Sequence, residues 1–383
     1  MQFDFATTPR AMIAPGLAST PAKWPGDFPA GQIFVVTDPG LVRAGVVDPM
    51  LEALRAQGST VTLYQDVEAD PPEARVLAVV AAAVAAKASM IIGIGGGSSL
   101  DTAKLVALLA ATPQELSAVY GIGLAKGPRL PLIQIPTTAG TGSEVTPIAI
   151  VTTPTQEKKG VVSPLLYPDL AILDAELTLG LPPAVTAMTG IDAMVHAIEA
   201  YTSRIKKNPL ADALAKEALS LLYINLPRVL ANGQDIEARS AMLAGSMMAG
   251  MAFANAPVGA VHALAYPLGG HFHVPHGLSN ALVLAPVLAY NMSEAKTQYA
   301  ELAAVLNPDL RHGDKTAAAS WFVEEMTRLV ASMPFAQRLA DVGVKESDLD
   351  LLATDAMKVE RLLVNNPRVV TFDSARAIYA QQL

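Results

Sequence analysis

The sequence predicts an α/β half with a parallel sheet, followed by an all-α half. Between residues 32 and 174, short apolar runs alternate with longer helix-like stretches. That alternation is the pattern of a parallel sheet covered by helices on both faces. Beyond Leu181-Pro182-Pro183 hardly a strand-like run remains. The length, 383 residues, suits two domains at roughly 100–200 residues each. The expected domains are residues 1–180 and 181–383.

Each element has a local reason. Residues 32–38 (QIFVVTD) read as a short buried strand, 41–57 as a helix, and 59–64 (STVTLY) as a second strand. Pro71-Pro72-Glu73 opens an Ala/Val-rich helix that runs to about Lys87, because proline is tolerated in a first turn. Residues 89–95 (SMIIGIG) form a third strand, and Gly96-Gly97-Ser98 turns into a helix over 100–111. Residues 131–136 (PLIQIP) form a fourth strand, and 145–153 and 170–174 are further strand candidates. The second half carries helical periodicity over 184–203, 209–230, 235–254, 258–267, 277–292, 314–331 and 346–356.

Composition removes whole classes of function. Hydrophobic residues make up 51% of the chain and charged residues 16%, so intrinsic disorder is excluded. Lys and Arg number 27 against 35 Asp and Glu, a net charge of -8. That is the wrong sign for a nucleic-acid partner. The absence of cysteine removes disulfide frameworks, zinc fingers, iron–sulfur clusters, thiol catalysis and cysteine-ligated zinc. Any metal must therefore be held by carboxylates and by some of the six His. The N-terminus lacks the basic and apolar regions of a signal peptide, so a cytoplasmic protein is expected. Residues 240–293 contain no Asp, Glu, Lys or Arg. Gly, Pro, Asn and four His interrupt the run, which argues for a buried helical core and against a membrane span.

Two loops and one helix could carry chemistry. Gly95, Gly96, Gly97 and Ser98 follow a strand and open a helix. Glycines there let the backbone approach a phosphate, and the helix N-terminus offers free N–H groups. Thr137, Thr138 and Thr141 lie in a second polar loop after the fourth strand, where open α/β sheets bind ligands. Two such loops point to a dinucleotide. Asp38 ends the first strand, a place from which a carboxylate takes ribose hydroxyls and repels a 2′-phosphate.

Asp192 and His196 are four apart in an apolar helical stretch and share a face. His262 lies in a second apolar stretch, and His271, His273 and His276 follow it. Three imidazoles and one carboxylate suit Fe²⁺ or Zn²⁺ and disfavour Mg²⁺ and Ca²⁺. Spacing alone leaves the choice among His271, His273 and His276 open.

Five segments in order resemble the iron-containing (group III) alcohol dehydrogenase family, which includes lactaldehyde reductase and 1,3-propanediol dehydrogenase. They are GIGGGSSLDTAK (93–104), IPTTAGTGSEVT (135–146), PDLAILDAELTLGLPP (168–183), TGIDAMVHAIEAY (189–201) and AVHALAYPLGGHFHVPHGLSNALVL (260–284). The resemblance implies an N-terminal dinucleotide-binding α/β domain and an all-α C-terminal domain, the two-domain plan also found in dehydroquinate synthase. It implies a metal, Fe²⁺ or alternatively Zn²⁺, on Asp192, His196, His262 and His276. It implies NAD on Asp38, Gly95, Gly96, Gly97, Ser98, Thr137, Thr138 and Thr141, with Lys159 resembling the family's cofactor lysine. Tyr266 departs from the pattern: it stands where many members carry a second His one helical turn after a metal ligand. The proton relay assigned to that His is either carried by Tyr266 or absent.

The implied reaction is hydride transfer between NAD(H) and a small primary alcohol or aldehyde. A short-chain dehydrogenase needs Tyr-x-x-x-Lys, and none of the nine Tyr has Lys four residues later. The alternative, an NAD- and metal-dependent lyase resembling dehydroquinate synthase, needs basic residues to grip a sugar phosphate. The uncharged stretch 240–293 offers none. No nucleic-acid or membrane partner is expected. Low charge and a high apolar content suggest a homodimer or a larger homo-oligomer.

Overall fold

Burying both faces of a sheet requires strands that are apolar at every position, and the first half of the chain has them. The computed structural model describes residues 2–25, 31–155 and 157–383. Six strands form one parallel sheet: β1 (Ala11–Ile13), β2 (Gln32–Val36), β3 (Thr60–Tyr64), β4 (Met90–Gly95), β6 (Leu132–Pro136) and β9 (Leu170–Leu173), in the order β1-β9-β6-β4-β2-β3. A smaller sheet joins β5 (Gly121–Ile122), β8 (Lys158–Val162) and β7 (Ile148–Thr152) in that order, with β7 and β8 antiparallel. Alternation along the strands feeds two cores. Ile33, Val35, Ile92 and Ile94 pack with Leu17, Met50 and Leu54 on one face. Phe34, Val36 and Ile91 pack with Val79, Ala103 and Val106 on the other.

Several expected elements differ. The stretch 41–57 is two helices, α1 (Pro39–Arg43) and α2 (Asp48–Ala56). The break falls at Gly45, whose φ is +69°, and Pro49 begins the new helix without needing an N–H partner. The run 145–153 is not in the main sheet. Its core, β7, folds back on β8, a strand the sequence reading missed because Lys158-Lys159-Gly160 hides its apolar residues. β1 was also missed, being three residues long. The remaining helices of this half are α3 (Glu73–Ala85) and α4 (Gly97–Ala111).

The second half is helical: α5 (Pro183–Thr202), α6 (Pro209–Ala231), α7 (Ile236–Asn255), α8 (Ala260–Phe272), α9 (His276–Leu306), α10 (Lys315–Ala331), α11 (Leu349–Met357), α12 (Glu360–Leu363) and α13 (Phe372–Ala380). α9 continues past the expected stop near 292, because Glu294 onward supplies a polar face rather than a break. The chain clusters into two compact units, Thr7–Gly180 with Gln234–Met247, and Met1–Ala6 with Leu181–Gly233 and Met248–Leu383. Ala6 belongs with the helices because the Asn255 amide both accepts from its N–H and donates to its carbonyl, each at 2.8 Å. Among the described residues no single helix is long and apolar enough to cross a membrane; α7 and α8 pass that test only as a pair bent by 104°.

In the α/β unit α4 is tied to the chain beyond β6. The fully buried Lys104 donates to Ser143 Oγ at 2.8 Å, to Thr146 Oγ1 at 3.2 Å and to the Ile148 carbonyl at 2.7 Å. Asp101 accepts from Ser143 Oγ at 2.6 Å and from the Ile150 N–H at 2.9 Å. Next to this cluster, burial pushes the Glu144 carboxyl up to about 7 against the pull of Lys104. An unfolded glutamate titrates at about 4.3, so in between the native state holds a proton that the unfolded chain has lost. The contribution of this group to stability therefore falls as pH rises from roughly 4.5 to 7 and levels off above that. The loss attributable to this group is of order 3 kcal/mol. Glu144→Gln should remove that part of the slope. Urea unfolding at about pH 5 and about pH 8 reads it, and equal pH dependence in variant and parent would refute the assignment.

Candidate metal centre and cofactor loops

The metal-type residues converge inside the helical unit. The ligand atoms of Asp192, His196, His262 and His276 all lie within 4.8 Å of one another. α5 supplies Asp192 and His196 one turn apart, α8 supplies His262 in its first turn, and α9 begins with His276. Gly277 makes this approach possible: a Cβ there would stand 2.5 Å from the Met188 carbonyl oxygen of α5. The His196 ring stacks on Phe253 at 4.4 Å and on His262 at 4.7 Å. Asp192, His196 and His262 are buried, and His276 is one-third exposed, which leaves the cluster one open side.

The electrostatics fit a cation. Asn280 is fully buried, and its amide nitrogen lies 2.5 Å from Asp192 Oδ1, 3.2 Å from His262 Nε2 and 3.3 Å from His276 Nε2. A donor thus stands where three acceptors converge, while its own Oδ1 is buried with no hydrogen-bond partner. Burial alone would raise the Asp192 carboxyl, but His196, His276, His262 and the Asn280 amide together hold it below its usual value. Three imidazole nitrogens and one carboxylate oxygen match Fe²⁺ or Zn²⁺. His271 instead pairs with Asp355 at 2.6 Å. His273 ends α8 in the left-handed region at φ +54°. Neither belongs to the cluster.

Around the ligands sit Glu199, which the sequence reading did not single out, and Tyr266, which it did. Glu199 Oε2 is 2.6 Å from His262 Nδ1, and its Oε1 accepts from the Val261 N–H at 2.7 Å. Helical spacing places Glu199 on the face of Asp192 and His196 but does not name its partners on α8. The Tyr266 ring lies 6.2 Å from that of His276, and Arg361 donates to its hydroxyl at 3.4 Å. The Tyr266 hydrogen is thereby left to donate elsewhere.

In the α/β unit the neighbours β6, β4 and β2 are parallel, so the chain leaving each emerges on one edge. Strand order reverses between β2 and β4, the kind of point at which such sheets bind ligands. Asp38 caps α1 by accepting from the Gly40 and Leu41 N–H groups through Oδ1. Its Oδ2 lies 3.4 Å from where a Cβ on Gly95 would be. Gly95 has φ +148°, and a Cβ there would meet Ser99 Oγ at 2.7 Å. A Cβ on Gly97 would meet Thr141 Cγ2 at 2.8 Å. Gly96 caps α4 with no side-chain bond, so the first N–H groups of a 15-residue helix stay available to an anion. The Thr137 N–H donates to the Gly95 carbonyl at 3.0 Å, and the Thr138 side chain comes within 3.9 Å of a Cβ on Gly96. The donors and the cramped backbone fit a pyrophosphate.

Lys159 does not join this edge. Its side chain is 47% exposed and pairs with Glu157. Successive residues of a strand point to opposite faces, so Lys158 is the one turned inward. Its side chain is 9% exposed and ion-paired with Asp70, and the Asp70 N–H donates to Ser98 Oγ at 3.1 Å. The contact that leads to the glycine loop is thus made by the neighbouring Lys158, not by Lys159.

His196→Ala or His276→Ala should abolish metal retention while leaving the fold intact, because each removes one of four converging donors. His273→Ala should retain metal. Metal analysis of anaerobically purified protein checks this, and loss of metal in His273→Ala with retention in His276→Ala would overturn the ligand set.

Comparison with known proteins adds an independent line. Residues 17–175 match the family described as iron-containing alcohol dehydrogenase, and residues 186–383 match the Fe-containing alcohol dehydrogenase family, C-terminal. The chain is 42% identical over 353 residues to long-chain-alcohol dehydrogenase 1 of Geobacillus thermodenitrificans, covering 91% of this chain and 89% of that protein. It is 39% identical over 385 residues to sulfoacetaldehyde reductase of Bilophila wadsworthia, covering 99% and 98%. Its fold superposes on the alcohol dehydrogenase from Oenococcus oeni with a TM-score of 0.94 at 33% identity, over 100% of both chains. With sequence, fold and clustered ligands in agreement, the chain belongs to the iron-containing alcohol dehydrogenase family.

Proposed function

We propose that the protein is a metal- and NAD-dependent alcohol dehydrogenase, reducing small aldehydes to primary alcohols and catalysing the reverse. The observation that carries this reading is the buried cluster of three imidazoles and one carboxylate, with ligand atoms within 4.8 Å of one another. When bound, Fe²⁺ supplies Lewis acidity toward the substrate oxygen, and NAD(H) supplies or accepts the hydride. Asp192, His196, His262 and His276 hold the ion. The unit of Thr7–Gly180 with Gln234–Met247 binds the dinucleotide, and the unit of Met1–Ala6, Leu181–Gly233 and Met248–Leu383 binds the metal. Gly95, Gly96, Gly97 and Ser98 receive the pyrophosphate, Thr137, Thr138 and Thr141 form the second wall, and Asp38 takes ribose hydroxyls. Lys158, with its link through Asp70 to the glycine loop, takes the cofactor role expected of Lys159. The names of the similar proteins include a long-chain alcohol and sulfoacetaldehyde, so the shared part is the alcohol or aldehyde carbon. Dependence on NAD(H) suits a cytoplasmic enzyme, and the apolar composition suits a homodimer or larger homo-oligomer, which light scattering reads directly.

The test is a panel of small aldehydes and alcohols with NADH, NADPH and their oxidised forms, run on metal-loaded protein. Turnover should favour NAD(H) and vanish on chelation. In the same assay Lys158→Ala should raise KM for NADH about tenfold or more, and Lys159→Ala should leave it within about twofold, scaled on the ~1.5–3 kcal/mol of a hydrogen bond to a charged group. No turnover with any member of the panel would overturn the proposal.

Tyr266 carries the proton step in this reading. Its ring flanks His276 and its hydroxyl hydrogen is left by Arg361 to donate. Tyr266→Phe keeps the ring and removes only the hydroxyl. A fall in turnover of about 10²–10⁴-fold at unchanged metal content is expected for loss of a general acid–base group. A variant within a few-fold of the parent would make Tyr266 a packing residue.

A further inference from the structure

We propose that Glu199 is the positioning residue of the metal centre: it fixes which ring nitrogen of His262 faces the ion. The inference rests on the metal reading above and adds a residue to it. Glu199 lies on the same face of α5 as Asp192 and His196, one turn beyond the latter, yet it does not reach the ligand cluster. Its two oxygens serve two donors on α8. Oε2 sits 2.6 Å from His262 Nδ1, and Oε1 accepts from the Val261 N–H at 2.7 Å. Both side chains are buried, Glu199 at 6% and His262 at 4% exposure, so no water competes for the bond.

A carboxylate accepts and cannot donate. Against it, His262 must carry its proton on Nδ1, which leaves the Nε2 lone pair facing Asp192 Oδ1, 3.9 Å away. A hydrogen-bonded carboxylate also raises the basicity of a metal-ligating imidazole. Two buried carboxylates, Asp192 and Glu199, together balance the charge of one divalent cation, which matters where solvent cannot screen it. The second bond fixes the backbone under the same ring. The cap residue Gly259 offers no side chain to α8, so Glu199 satisfies an orphan N–H in the first turn. Asn366 Oδ1 accepts from the neighbouring Ala260 N–H at 3.3 Å. Gly259 packs closely here: a Cβ would stand 3.3 Å from the Asn366 Cα and 3.4 Å from Glu199 Oε1.

Glu199→Gln separates this role from a structural one. The single amide oxygen can serve Val261 or His262 but not both. Kept on Val261 it preserves the helix cap and turns an NH₂ toward Nδ1, which drives the ring proton to Nε2. Co²⁺ is the probe, read by its visible absorption and by competition with a chelator. The variant should bind Co²⁺ about 10–100-fold more weakly than the parent, with an altered spectrum, and its metal-free melting temperature should change little. In the unsubstituted metal-free protein, long-range ¹H–¹⁵N spectra should show His262 protonated on Nδ1. Equal Co²⁺ affinity and spectrum in parent and variant, or His262 protonated on Nε2 in the parent, overturns the proposal. A parent protein that binds no Co²⁺ at all overturns the metal reading itself, a result distinct from either of these.

Discussion

The helical unit is organised around one expensive act, the burial of the Asp192 carboxylate. A carboxylate taken out of water must be met by positive charge or by donors, or it will not stay ionised. The fold meets it with three imidazoles from α5, α8 and α9 and with the Asn280 amide, all in hydrogen-bond or near-contact range. That requirement sets how closely the helices approach. Gly277 exists because α9 must begin against the α5 backbone. The N-terminus of α8 is held by acceptors from elsewhere, Glu199 of α5 and Asn366. Asn366 is itself fixed by a reciprocal amide pair with Asn291 of α9, at 2.7 and 3.0 Å.

The α/β unit solves the opposite electrostatic problem. An anionic pyrophosphate needs donors and room, so side chains are removed where the backbone must come close. Gly93 shows the same economy on the inner side: a Cβ there would stand 2.7 Å from Ala103 Cβ, so α4 lies tightly on β4. The Lys104–Asp101 cluster then fixes the chain beyond β6 to α4 through Ser143. The second polar loop is thereby held in register with the first. Rigidity under both loops serves a hydride transfer, whose rate depends on small errors of position.

Much of this was legible in the chain. The apolar runs of β2, β4 and β6, the glycine loop after β4, and the pair Asp192 and His196 are local patterns with one physical meaning each. The two-part architecture followed from where strands stop. What was lost was lost for local reasons. β1 and β8 are too short or too polar to show a period, and Gly45 splits a helix that apolar spacing alone reads as continuous. Lys158 and Lys159 are chemically identical neighbours, and only the pleat of β8 distinguishes them.

The sequence by itself determined which residue types could meet: few His, no Cys, and carboxylates in an uncharged neighbourhood, which restricts the chemistry to an imidazole-rich metal. It also determined the glycine positions, since a missing Cβ is a property of the chain. Only the tertiary structure decided which donors converge. His271, His273 and His276 are equivalent by spacing, but one turn of backbone at φ +54° and a glycine pressed on α5 put His276 in the cluster and leave the other two outside. Glu199 and Asn280 acquire meaning the same way, through contacts 63 and 88 residues distant. Hydrogen-bond geometry over such separations is set by helix packing, and no local pattern encodes it.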